Sequence, residues 1–266
     1  MSFGKYIQIA KNTLQEYFTY RVNFAFWRLQ VFISFVIYYS LWSAVGQSRG
    51  YVGIYSLPQL YSYFIIGYII RALVFTTRTA DIGGDIQQGN LSSLLLKPIS
   101  TIKYYFSRDV IDKIFNLSFM IFEFSLILLI FKPQLTFPTF YNFIFFIIFL
   151  LLSVVLFFFY SLVISFITFW ADNAWSSRFL FGMVFVTLFS GQLIPLDLLP
   201  TWLSKFLDYT PYPYMFFYPV KIWLGQIAPD IILWRLLSGV TTTLFTYLLA
   251  EFLWLKGKQK YQSYGN

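Results

Sequence analysis

Residues 140–170 contain no charged side chain, and the run is longer than the roughly 20 residues a helix needs to cross a hydrocarbon core. A soluble fold has nowhere to hide it. The chain is 58% hydrophobic and 11% charged, with a mean hydropathy of +0.66, which is more apolar surface than a globular domain of this size can bury. Comparable runs occupy residues 24–45, 57–77, 111–131, 179–196 and 231–255. They do not alternate as barrel strands would, and lipid offers the backbone no hydrogen-bond partner, so each predicts a helix. The expected fold is an all-α membrane protein with six transmembrane helices. The 140–170 span is tilted, broken or projecting beyond the bilayer.

Ahead of the first span, Phe3, Ile7, Ala10, Leu14 and Phe18 recur at three or four residues between polar positions. That pattern predicts an interfacial amphipathic helix over residues 1–22 rather than a cleaved signal peptide. Basic residues near the span ends set the orientation. Lys5, Lys11, Arg21, Arg28, Arg78, Lys97, Lys103, Arg108, Lys113, Arg178, Lys256, Lys258 and Lys260 fall on or near one side, against Arg49, Lys132, Lys205, Lys221 and Arg235 on the other. Both termini are therefore expected in the cytoplasm of a multi-pass cell-membrane protein. The net charge of +8 is spread between apolar runs rather than gathered on a patch, which argues for membrane lipid and against nucleic acid. Cysteine and histidine are both absent, removing disulfides, thiol chemistry, Cys/His metal sites and imidazole catalysis. Most enzyme classes are thereby disfavoured, and no bound cofactor and no metal are expected on this chain. No linker divides it, so residues 1–266 read as one transmembrane domain.

Two segments differ from the spans. Residues 81–100, DIGGDIQQGNLSSLLLKPIS, form a polar, glycine-bearing insert between apolar runs, within a predicted cytoplasmic loop over 78–110. Gly84 and Gly89 have phosphate-loop spacing, but Asn90 stands where lysine is needed and Leu91 where Ser or Thr is needed, so phosphate charge would be unmet. The insert reads instead as a turn and short helix: Gly83 and Gly84 end the preceding helix, Gly89 and Asn90 permit a turn, and Pro98 stops the apolar stretch from Leu91 to Leu96. As it stands, the insert could be only a connector. Residues 191–230 hold Pro195, Pro200, Pro211, Pro213, Pro219 and Pro229 of the chain's ten prolines. No straight helix continues through that density. The segment is either an external pair of short helices dipping into the outer leaflet or a loop resting on headgroups.

Ile82, Gly84, Gly89 and Leu91, followed by Leu95, Lys97, Pro98 and Ile99, resemble the loop between spans two and three in membrane subunits of type-2 ATP-binding-cassette exporters. Ser190, Gly191, Ile194, Pro195, Leu196, Leu199, Pro200 and Trp202 are similar to that family's signature after span five, ahead of an external hairpin. The resemblance covers the whole layout and is nearest the drug and viologen exporter branch. It implies a non-catalytic permease that pairs with a second permease, identical or different, and is driven by separate ABC ATPase subunits that bind the ATP. By position, Ile82, Gly84 and Gly89 shape the coupling loop, Leu91, Leu94 and Leu95 offer its docking face, and Lys97 with Pro98 mark its end.

Arg71 and Glu123 are the charges that lie deepest within their spans. Arg71 is near enough to an end to snorkel. Glu123 lies near mid-depth, either as a protonated or arginine-paired carboxylate joining helices, or on the substrate path, where it would attract a lipophilic cation. An ATPase-independent secondary transporter or channel is the alternative function. A lipid-modifying enzyme would have to use Asp81, Asp85, Asp109 and Asp112, which read more simply as solvated loop carboxylates.

Overall fold

The computed structural model describes residues 4–171 and 173–261, without the Arg49 side chain; Phe3 and that side chain, both used above, lie outside the described residues. The chain is mostly helical. Helix α1 (Gly4–Thr19) is followed almost at once by α2 (Arg21–Arg49). Gly50 ends α2 in the left-handed region at φ 77°, a conformation glycine adopts without steric cost. A two-residue hairpin, β1 (Tyr51–Val52) paired antiparallel with β2 (Tyr55–Ser56), leads into α3 (Leu57–Val74). Ser56 and Gln59 close a capping box there, the reciprocal arrangement that satisfies free N–H groups of a first turn. Helices α4 (Ala80–Gln87) and α5 (Leu91–Leu95) occupy the polar insert, and α6 (Thr101–Phe131) and α7 (Phe140–Phe166) follow as long helices. The remainder comprises α8 (Ala174–Ser177), a π-helical stretch (Arg178–Phe185), α9 (Val186–Phe189), α10 (Thr201–Leu207), α11 (Tyr212–Met215), α12 (Phe217–Trp223) and α13 (Pro229–Lys260).

Among the described residues five helices are long and apolar enough to cross a membrane: those at 21–48, 57–74, 101–131, 140–169 and 229–260. The helix from Phe140 is continuous to Phe166 and tightens into a 3-10 turn over Ile167–Phe169. The expected span at 179–196 is a shorter apolar helix, Ala174–Phe189, about 24 Å long at 1.5 Å per residue against about 30 Å of hydrocarbon. Its π-helical middle shortens it further.

Helix α3 is the most enclosed span, with Tyr63, Ile65 and Ile70 fully buried between α2, α6 and α7. The proline-rich segment is not a loose loop. Tyr214, Met215, Phe216, Val220 and Ile222 are buried, and α11 and α12 pack along α7. Gly67 of α3 lies directly under the Phe216 ring, where any Cβ would collide. A second, smaller core joins Ile82, Ile86, Leu91 and Leu94 to Tyr105, Phe166, Phe169 and Trp254.

Candidate functional site

The second core determines what the polar insert can present. Gly83 and Gly84 lie inside α4 rather than ending the helix before it. The break comes earlier, across Thr76 to Thr79, where threonine hydroxyls take over backbone groups: Thr76 Oγ1 donates to the Ala72 carbonyl at 3.1 Å, and Thr79 N donates to Thr77 Oγ1 at 3.2 Å, competition typical of this side chain. Gly84 faces open space, whereas Gly89 takes φ 79° and makes the turn between α4 and α5, as its position suggested. Ile82 is fully buried and anchors α4 to that core.

The apolar face of α5 is divided. Leu91 and Leu94 are buried against their own chain, while Leu95 is exposed and Leu96 is 87% exposed. Leu95, Leu96, Lys97 and Pro98 form a continuous exposed run at the end of the insert. The other flank of α5 is tied down by the end of α13. Ser92 N donates to the Tyr261 hydroxyl at 3.2 Å, and the Ser92 and Tyr261 hydroxyls lie 3.1 Å apart. Gly257 of α13 passes so close to the Phe169 ring that a side chain there could not fit. The insert is thus braced from α13, α7 and α6 together.

All four aspartates have partners, and two of them, Asp109 and Asp112, are removed from solvent. Arg78 reaches Asp112 at 3.3 Å and Asp81 at 3.9 Å; Arg108 reaches Glu16 at 2.7 Å and Asp81 at 3.4 Å; Lys113 reaches Asp109 at 3.4 Å. Tyr105 donates to Asp85. Asp109 and Asp112 are buried, the condition under which carboxylates are kept only with partners. The Asp81 carboxyl sits above the usual range because burial outweighs the opposing pull of Arg108, Arg78 and Arg178. This lattice clamps α1, α4 and α6 to one another.

Glu123 belongs to a separate buried group. Arg28 Nε donates to its Oε1 at 2.9 Å, the second guanidinium nitrogen also contacts it, and Tyr68 donates to Oε2. Arg28 additionally donates to Asn116 Oδ1 at 3.3 Å. Arg28 was read as a charge at a span end, but it is 4% exposed and joins α2 to α6 and α3.

Between these groups lies a cavity of about 810 Å³, bordered by α2, the end of α3, α6, α7 and the π-helical stretch. Trp27, Val31, Phe75, Phe157, Met183 and Val186 supply much of its apolar wall, and Arg71, Arg178, Thr187 and Gln192 add polar groups. Glu123 is not among the bordering residues. At the opposite end of the molecule Lys221 Nζ donates to Asp197 at 2.6 Å and to Gln226 Oε1 at 2.6 Å, and Tyr55 donates to Asp197 at 2.8 Å. Burial outweighs Asp197 and holds the Lys221 ammonium below the ordinary lysine range. That knot joins β2 to α12.

A family model described as ABC-2 family transporter protein matches residues 23–265. Comparison with curated proteins gave no match.

Proposed function

The chain belongs to the ABC-2 transporter family, and from that membership we propose that it is the permease subunit of an ATP-driven exporter, coupled through residues 95–98 to a separate ABC ATPase. Permeases of this family typically work with such ATPases and are generally non-catalytic. The observation that carries the reading is the pair of outward leucines, Leu95 and Leu96, on a short helix braced by three long ones. Exposed leucines beside Lys97 suit a groove on a partner, while Leu91 and Leu94 transmit force into the second core and so into α6, α7 and α13. Ile82 anchors the lever, Gly89 turns it and Pro98 ends it.

In this reading both termini are cytoplasmic, Ala174–Phe189 completes a six-span permease by lying in a locally thinned bilayer or continuing into the chain beyond it, and α11–α12 dip into the outer leaflet. Helix α1 lies at the interface, with Ile7, Leu14 and Phe18 still exposed for lipid. A second permease, identical or different, completes the path. ATP binds the partner ATPase, since Asn90 leaves this chain without the phosphate-loop lysine. Resemblance to the drug and viologen branch supports a small amphiphile as cargo.

Gentle extraction from cells that also express the cognate ATPase tests the coupling. The parent retains the ATPase through purification, and Leu95→Asp/Leu96→Asp loses it while eluting as the same folded species. Retention by the double variant overturns the docking assignment, and transport by the chain alone, without ATPase or ATP, favours the secondary-transporter alternative.

A further inference from the structure

The carboxylates of Glu16, Asp81 and Asp112 border the cavity, but each is already engaged by Arg78 or Arg108. Arg28 is matched by Glu123, Arg78 by Asp112 and Asp81, Arg108 by Glu16 and Asp81, and Lys113 by Asp109. Arg71 borders the cavity, yet among the described residues its side chain has no ion pair or hydrogen bond; Arg178, also at the border, is exposed and acts on Asp81. A guanidinium keeps its proton in any protein setting, and uncompensated positive charge against an apolar wall is costly. Arg71 lies in the last turn of α3, where the helix dipole offsets only a part of that cost. It also stands at a junction, because Arg71 and Gln192 border both the large cavity and a small cleft of about 30 Å³ against Tyr38 and Phe216.

Resting on the permease reading, we propose that Arg71 is the recognition site for the anionic headgroup of an amphiphilic substrate, a phosphate or other oxyanion, whose apolar part lies along Trp27, Phe75, Phe157 and Val186. A planar fork of donors suits an oxyanion bidentately, and Gln192 offers an amide beside it. The cavity's volume is within the range that holds a small amphiphile. The sign of this charge disfavours a viologen-like dication, and Glu123 offers no counterweight because its carboxylate is held by Arg28 and Tyr68.

Native mass spectrometry of the full chain in a neutral detergent reads binding without any ATPase, so its outcome is independent of the docking test. The probes are dodecyl phosphate, dodecyltrimethylammonium, inorganic phosphate and phosphatidylglycerol. The parent binds dodecyl phosphate at least tenfold more tightly than dodecyltrimethylammonium and than inorganic phosphate. Arg71→Gln loses tenfold or more for dodecyl phosphate, and Arg71→Lys restores a part of it. Equal competition by phosphatidylglycerol supports the proposal with a bilayer lipid as the source, and failure to compete supports it with a non-lipid amphiphile. Equal binding of the phosphate and ammonium probes by the parent overturns it, even where a variant fails to fold. So does unchanged affinity in Arg71→Gln, and inorganic phosphate binding as tightly as dodecyl phosphate overturns the amphiphile.

Discussion

At the scale of single residues the strongest constraint is the Arg28, Glu123 and Tyr68 group. The depth of Glu123 in its run was legible and signalled a buried carboxylate with two readings. Its partner was not legible, because Arg28 is 95 residues away and sits early enough in its own run to pass for an end charge. Pairing across helices leaves no local trace in a sequence. Glu123→Leu strands a buried guanidinium and is expected to cost about 3–5 kcal/mol, whereas replacing both members by apolar residues of similar size is expected to be far less harmful. Melting of the purified single variants and of Arg28→Met/Glu123→Leu checks this. A double variant no more stable than Glu123→Leu would show that the pair does not bear on the fold.

At the scale of elements the polar insert was legible as a short apolar helix after a glycine turn, and Gly89 makes that turn. What the sequence hid was direction. Leu91, Leu94, Leu95 and Leu96 span little more than one helical turn, so three-fold periodicity could not say which leucines face inward. The answer depends on Phe166, Phe169 and Trp254, supplied by α7 and α13 from far along the chain. Glycines 83 and 84 suggested a helix end, but packing against α7 kept α4 helical, with Gly83 allowing Thr168 and Ala174 to come close. Leu94→Ala is expected to cost about 2–5 kcal/mol, as buried leucine truncations do, whereas Leu96→Ala should fall within about 0.5 kcal/mol of the parent. Thermal melting in detergent separates them, and equal losses would contradict the division of faces.

For the whole molecule, helical spans, a membrane setting and the family were readable from long apolar runs and two well-separated motifs. The short Ala174–Phe189 helix and the packed proline-rich segment were not, since π-helical geometry and burial along α7 depend on neighbours rather than on composition. Under the proposed coupling, the end of the molecule carrying Leu96 meets an ABC ATPase. The absence of cysteine makes a single introduced thiol unique, so Leu96→Cys and Tyr209→Cys can each carry a photo-crosslinker in membranes containing the cognate ATPase. Tyr209 is 90% exposed and lies in the proline-rich segment. ATPase peptides are expected joined to position 96 and none to position 209; ATPase joined from 209, or from neither position, rules the coupling out.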